Sequence, residues 1–589
     1  MNKLNKLLFV FMCFSLLSCN ENNSSSLNES QSNEDSIPIS STDSSSSLET
    51  SSNENSSNEE EKDYIASLSK QEKDNLSIQG YASFGIQDFS KYINTDYYRV
   101  VSNEEEFIKA IYDAKYDYET IWDDSTNTYT QNLIKEGSVR VIEITNDLNL
   151  GYYKLSENSK KLTQVVSDYA NKYNTYKDSL YFSDMFLENG ISQIKIEKTS
   201  NLMIYSKSGV KITYAGFKLT SCDNVVFRNI FFDELWQWED AVNASTSKIG
   251  DYDYFGWSYF KIGFCGYVWI DHCKFGKSYD GQIDYANANY HSTKSTSFRA
   301  PYGSTGGKGL SVTWCDFSSG DDNQEGYLYK MMNKLEQDYQ NNDCKALYYK
   351  TLRENGVSFN EILYGLAIPQ KKGFLIGDDQ DYKQDNHVEY DYNLELFVTF
   401  ANCRFTDLED RLPKVRGGNV YMHNCLFDSS KYYEYRKRLS SINASNIVKK
   451  VNTSWKCALV SQGIVCGQGG SVKAINCIFL GINTLLKNND SGSIAPFGYG
   501  GFDLQNCRYV KDNIDYTGSS SDKTHQFSNS STSTLKTDYF KWNTIDGNEP
   551  YEVKVLIELH KLEENLNNDI YGVGIKNTMK QYMLVFKYN

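Results

Sequence analysis

One short frame recurs along the chain and constrains its fold more than any other feature. It is a cysteine followed two positions later by an aromatic residue, usually after a short apolar run. It appears as Ile270-Asp271-His272-Cys273-Lys274-Phe275 and as Thr313-Trp314-Cys315-Asp316-Phe317. Further on come Ala401-Asn402-Cys403-Arg404-Phe405 and His423-Asn424-Cys425-Leu426-Phe427. Ile475-Asn476-Cys477-Ile478-Phe479 and Gln505-Asn506-Cys507-Arg508-Tyr509 follow, and Arg228-Asn229-Ile230-Phe231-Phe232 fits with Ile at the Cys position.

The tightest spacing, from Cys403 to Cys425, is 22 residues. Repeats of this length built from short strands predict a β-solenoid, each coil stacking on the last. Cys and Phe at alternate positions, with polar residues between, mark a strand with one face inward. Coils lie roughly 4.8 Å apart, so like residues align in ladders along the axis. The six cysteines are then an interior ladder of small apolar groups, which suits the free thiol. Disulfides or a metal site are the alternatives, but no C-x-x-C pair or Cys/His cluster is present. The asparagines before the cysteines are expected to satisfy backbone groups at the turn.

Two regions depart from the repeat. Ser102 with Glu105 reads as a capping box before Phe107, Ile108 and Ile111, so a short helix is expected there, followed by a strand over 139–144. Residues 323–364 interrupt the coils with Leu328, Met331, Leu335 and Tyr339 at helical spacing, a helical insertion whose apolar stripe is a packing face.

Ahead of the coils, Lys3 and Lys6 precede an apolar stretch over 7–17 and then Leu16-Leu17-Ser18-Cys19. The stretch is too short to span a bilayer, so residues 1–18 are expected to be a removed export signal. Its end resembles the lipobox of bacterial lipoproteins, which implies lipidation at Cys19 and a membrane anchor. An ordinary secretory signal would export the chain equally. Residues 19–62 are almost entirely Ser, Asn, Glu, Asp and Thr, which cannot bury enough apolar surface to offset the entropy of ordering, so a flexible tether is expected. The body, 63–589, is large enough for one elongated domain. Lys and Arg total 60 against 76 Asp and Glu, a formal net charge of −16, which argues against a general nucleic-acid binder. A local basic cleft can still hold an acidic polymer, because net charge is a far-field quantity.

Four motifs in order resemble one known family. Val268-Trp269-Ile270-Asp271-His272-Cys273 looks like the vWIDHC signature of the pectate lyases of polysaccharide lyase family 1, and Asp280-Gly281-Gln282-Ile283-Asp284 resembles the DGxxD element after it. Phe374-Leu375-Ile376-Gly377 is similar to the LxG segment, and Arg411-Leu412-Pro413-Lys414-Val415-Arg416-Gly417 to the RxPxxRxG element. Gly80-Tyr81-Ala82-Ser83 and the capped helix resemble the family's N-terminal region, and the likeness runs from about residue 77 to the end. The resemblance implies an all-β fold, a right-handed parallel β-helix with a helical insertion and a short N-terminal capping region.

It also implies calcium-dependent β-elimination of de-esterified polygalacturonate to 4,5-unsaturated oligogalacturonides, by a monomeric enzyme. Calcium, which takes several oxygen ligands, would be held by Asp280 and Asp284. It would stabilise the carbanion-like transition state. A further family ligand follows the strand ending in NIxF, where this chain has Trp238-Glu239-Asp240; Glu239 takes the position and Asp240 is adjacent. The resemblance makes Arg411 the base that removes the C5 proton, and Lys372 and Arg416 the residues that bind uronate carboxylates. An unperturbed arginine side chain titrates only above about pH 12. Neighbouring cations lower such a value, and alkaline activity would follow. Two residues before that lysine the family often has His, and this chain has Gln370. Asp271 and His272 read as buried hydrogen-bond partners, and Asp378, Asp379 and Asp381 as a solvated loop rather than a second calcium site. A pectin lyase, or a non-catalytic surface β-helix such as an adhesin, are the alternative readings. Asp280 and Asp284 argue against the first, and Arg411 with Arg416 against the second.

Overall fold

The residue before each repeat cysteine turns the chain through the left-handed region of backbone space: φ is 47° at His272, 51° at Trp314, 56° at Asn402, 50° at Asn424, 58° at Asn476 and 48° at Asn506. Asparagine tolerates this conformation better than most residues, which explains its recurrence there. Its side chain does more than the sequence suggests. The Asn424 amide donates to Asn402 Oδ1 at 2.9 Å, Asn476 to Asn424 at 2.7 Å and Asn506 to Asn476 at 2.8 Å. Backbone groups are satisfied as expected, Asn476 donating to the Ile557 carbonyl and Asn424 Oδ1 accepting from the Ile557 amide at 3.3 Å, and the amides also bond one another from coil to coil.

The computed structural model describes residues 66–124, 128–151, 154–155, 189–238, 256–286, 309–377, 396–441, 462–488, 500–519 and 557–577. The leader over 1–18, Cys19, the tether, Glu239, Asp240, Asp378, Asp379 and Asp381 lie outside them. Strands β1 (Ser192–Glu197), β2 (Ala215–Thr220), β3 (Phe260–Gly263), β4 (Ile283–Ala286), β5 (Phe374–Ile376), β6 (Lys414–Arg416), β7 (Gln462–Gly467) and β8 (Thr484–Asn488) pair in parallel, in chain order, as one eight-stranded sheet. After each of the first seven, the chain crosses to a second, 18-stranded sheet and returns one coil further on. The coil that begins with β3, for example, continues through Tyr267–Asp271 and Lys274–Phe275 before β4. This is a parallel β-helix.

Its interior is laddered as the repeat requires. Phe275 stacks on Phe317 with centroids 4.5 Å apart, Phe317 on Phe405 at 5.1 Å, Phe405 on Phe427 at 4.3 Å and Phe427 on Phe479 at 4.9 Å. Each such pair contributes about 0.5–1.5 kcal/mol beyond the area it buries. The six cysteines of the repeat are buried, and none of them forms a disulfide. Thiols along the ladder donate to carbonyls of the preceding coil, Cys403 to Val312 at 3.4 Å and Cys425 to Phe400 at 3.5 Å.

Asp271 and His272 are the hydrogen-bond partners expected. Asp271 lies 2.7 Å from the Arg228 guanidinium and 2.6 Å from His272 Nδ1, and His272 Nε2 faces the Tyr571 carbonyl at 3.1 Å. The N-terminal helix is Glu104–Asp113, but its cap is shifted by one residue. Asn103, not Ser102, accepts from the Glu106 amide at 3.0 Å, and Glu106 takes the Ser102 amide at 2.8 Å. Phe107, Ile108 and Ile111 join the main core. The insertion is three helices, Tyr327–Gln340, Leu347–Glu354 and Phe359–Ile362, with a π-helical turn over Leu363–Ala367. Leu328, Met331 and Leu335 are buried on it as the stripe predicts.

Two substitutions separate the parts of the asparagine turn. Asn424→Gly keeps the left-handed backbone and loses the ladder, while Asn424→Ala loses both. We expect a destabilisation of about 1–3 kcal/mol for Gly, and a further ~1 kcal/mol for Ala, read from chemical denaturation midpoints. Equal stability of Gly variant and wild type would remove the ladder from the account.

Candidate active site

The outer face of the eight-stranded sheet collects the residues that the motifs single out. Along the strands, apolar residues point in and polar residues out, the alternation seen in β4 as buried Ile283 and Tyr285 against part-exposed Asp284. Asp284 is in register with Lys261 of β3 on one side and Leu375 of β5 on the other, and Leu375 with Lys414 of β6. Asp280 precedes β4, Lys372 precedes β5 and Arg411 precedes β6, so three successive coils bring these side chains together.

Lys372 Nζ donates to Asp280 Oδ1 at 2.7 Å. With the lysine 7 % exposed, a solvated surface role is excluded. Burial pushes the Asp280 pKa up, but Lys372, Arg411 and Lys261 outweigh it and hold the carboxyl below the usual range. Asp284 goes the other way. Burial raises it, Asp280 adds to the rise, and the pull of Lys261, Arg411 and Lys372 does not compensate. Its Oδ2 accepts from Ser258 Oγ at 3.4 Å, while Oδ1 is buried without a hydrogen bond.

Gln370 holds the two loops in place. Fully buried, its side-chain amide donates to the carbonyl of Asp280 at 2.6 Å and of Lys372 at 3.0 Å, and its oxygen accepts from the Ser278 amide at 2.9 Å. Gln370 thereby braces the backbone at both Asp280 and Lys372. The next coil is tied on by the backbone, with Phe374 N–H donating to the Arg411 carbonyl at 2.8 Å. Arg411 itself sits at φ 65°, a conformation that costs a non-glycine residue roughly 1–3 kcal/mol. Its side chain makes no hydrogen bond or ion pair among the described residues, and its Nε is buried. Arg416 lies on β6 with its outward side half-buried.

Calcium requires several oxygens, and the residues present fit that need in part. Among the described residues no group of three or more His, Cys, Asp or Glu is arranged to hold a metal. Asp284 Oδ1, however, is an orphaned carboxylate oxygen beside the gap left by Gly281. A Cβ there would lie 3.3 Å from Asp284 Oδ1, 3.3 Å from the Gly373 carbonyl and 3.7 Å from Ser258 Oγ. A single gap is thus bordered by three oxygens, with Asp280 close by. Sequence reasoning missed Ser258, Lys261 and the bracing role of Gln370. Only the strand register, which places Lys261 against Asp284, could have found any of them.

No family profile matches the chain. It is 29% identical over 343 residues to pectate lyase B of Paenibacillus amylolyticus, a span of 58% of this chain and 75% of that protein. The solved structure of a pectate lyase from Paenibacillus sp. 0602 superposes with a TM-score of 0.65 at 23% identity, covering 86% of this chain and all of that one. The second comparison agrees with the parallel β-helix traced above.

Opposite pKa shifts give opposite stability effects. The lowered Asp280 pKa contributes stability above the unfolded-state pKa, lost as pH falls through the folded value. The raised Asp284 pKa contributes stability only at low pH, lost as pH rises through the folded value. At pH 7 in chelator, Asp280→Asn should therefore cost about 1–3 kcal/mol, whereas Asp284→Asn should raise the melting temperature. Parallel shifts in the two variants would contradict this electrostatic account.

Proposed function

We propose that the chain is a pectate lyase that cleaves de-esterified polygalacturonate by calcium-dependent β-elimination. The observation that carries the reading is a guanidinium without a partner among the described residues, Arg411, held in a left-handed turn beside Asp280, Asp284 and Lys372. A structural arginine so placed would pair with one of those carboxylates. One left unpaired on the outer face is available to a ligand that brings its own acidic groups.

In this reading Asp280 and Asp284 hold calcium, with Ser258 adjacent and Glu239 or Asp240 as the further ligand. The ion, when bound, would withdraw charge from the uronate carboxylate and so acidify the proton at C5. Lys372 and Arg416 orient the sugar through its carboxylate. Arg411 takes the C5 proton; the electron pair left behind forms the C4–C5 double bond, the C4–O bond breaks, and the departing oxygen is protonated from water. The products are a shortened chain and an oligogalacturonide with an unsaturated end. Export and a lipid anchor at Cys19 complete the proposal, since a polymeric plant substrate is met outside the cell.

The assay is the absorbance of unsaturated product from polygalacturonate, with calcium and then with chelator. Arg411→Lys keeps a positive charge and loses the planar guanidinium. Turnover should fall on the order of 10²–10⁴-fold, with substrate binding retained. Full activity in this variant, or in excess chelator, would discard the mechanism. Separately, Cys19→Ser should move the protein from the membrane fraction to the soluble one. An unchanged distribution would rule out the anchor.

A further inference from the structure

The register that aligns Lys261 with Asp284 continues toward the N-terminal coils. Lys261 pairs with Lys218 of β2, and Lys218 with Lys195 of β1. Three lysines thus stand in line at the spacing of the coils, roughly 4.8 Å, and the line ends on the Asp284 carboxylate. All three occupy outward positions of their strands, each between two buried apolar residues. None makes a hydrogen bond or ion pair among the described residues. The nearby Glu197 is already tied to Lys115 at 2.7 Å.

Like charges so close repel, and Glu197 beside the first two lysines and Asp284 beside the third relieve this only in part. Lys218 shows the effect, its pKa lowered by burial and then by Lys195 and Lys261 on either side. The row beside Lys218, Lys261 and Asp284 is low, with Thr220, Gly263 and Ala286 in register there, while Glu197 heads the row beside Lys195. The ammonium groups of Lys218 and Lys261 thus border a shallow floor. A ligand that fits must be linear, must carry an anionic group at each step and must run along the helix axis into the Asp280–Asp284 site.

We propose that Lys195, Lys218 and Lys261 form a carboxylate-binding track that extends the substrate groove over the coils preceding the reaction site, and that they give the enzyme its preference for long, de-esterified polyuronate. The proposal rests on the lyase reading above, which supplies the polymer. Because the line leads into the reaction site, its occupant is the outer part of the same chain that is cleaved. Removal of a carboxylate charge by methyl esterification would leave the lysines unpaired, so the track also disfavours esterified polymer.

The test uses Lys195→Ala/Lys218→Ala, two residues away from the reacting groups, in the full-length protein. Its KM for polygalacturonate should rise about 3- to 10-fold, the effect of losing two part-exposed ion pairs, with kcat nearly unchanged. Its KM for trigalacturonate should not move, and the salt dependence of polymer binding in affinity electrophoresis should flatten. Lys195→Arg/Lys218→Arg should behave like wild type. Melting at or above the wild-type temperature, expected once mutual repulsion is removed, shows that the double variant is folded. A wild type that cleaves polygalacturonate alongside a double variant with the same KM overturns the track alone, as does an equal loss on trimer and polymer. A wild type that neither cleaves nor binds polygalacturonate overturns the lyase reading itself.

Discussion

Because the Asn424 amide donates to Asn402 while its oxygen accepts from Asn476, each coil can sit over its neighbour in only one register. A slip of one residue would turn every side chain to the opposite face. It would carry Phe427 out of the stack between Phe405 and Phe479, and bring the polar residues in. In the earlier coils, where Asn229, His272 and Trp314 stand at the turn, the strand pairing itself keeps the register, and it aligns Lys195, Lys218, Lys261 and Asp284 on the outside.

Chemistry is placed on this frame by residues just before the strands rather than within them. Asp280, Lys372 and Arg411 each lie a few positions ahead of a strand, where the backbone still bonds to the next coil but the side chain is no longer held by the alternation. Loops of that kind need bracing. Gln370 supplies it between the first two, and Lys277 supplies more by donating to the Pro369 carbonyl at 2.8 Å. Pro369 lies just beyond the π-helical end of the insertion, so the helices have a physical connection to the site. They end where Gln370 and Lys372 begin, and Trp238 stacks on Tyr348 at 5.0 Å to hold them against the coils.

The coil architecture was legible because it is periodic. Cys and an aromatic residue two apart, recurring six times in the same strand frame, can satisfy only a structure in which like positions stack. The helical insertion was legible for the same reason at a different period. What escaped was aperiodic. The cap shifted from Ser102 to Asn103 because either residue has a glutamate three positions on, and only the backbone decides between them. Ser258 has no sequence signature, since it borders Gly281 through the stacking of two coils and not through any spacing along the chain. Gln370 looked like a defect in a motif. Its role depends on reaching two carbonyls at once, which a linear reading cannot see.

A chain with a formal charge of −16 is an unexpected host for a polyanion, and the site indicates how the two are reconciled. Exposed charges more than about 8–10 Å away are largely screened at physiological ionic strength, so the net figure matters little within the groove. Locally the balance is reversed. Lys261, Lys372 and Arg411 lie around two carboxylates, with Lys218 and Lys195 on the coils leading to them, and among the described residues only Lys372 of those five cations is committed to a protein partner at hydrogen-bond distance. The two carboxylates are themselves unlike. Asp280 is stabilised as an anion by its neighbours, whereas burial without a full set of partners raises the pKa of Asp284. A bound divalent cation would remove that second cost and leave the surplus positive charge to the substrate. The groove as it stands is therefore strained in both signs, and an acidic polymer together with a metal ion relieves both.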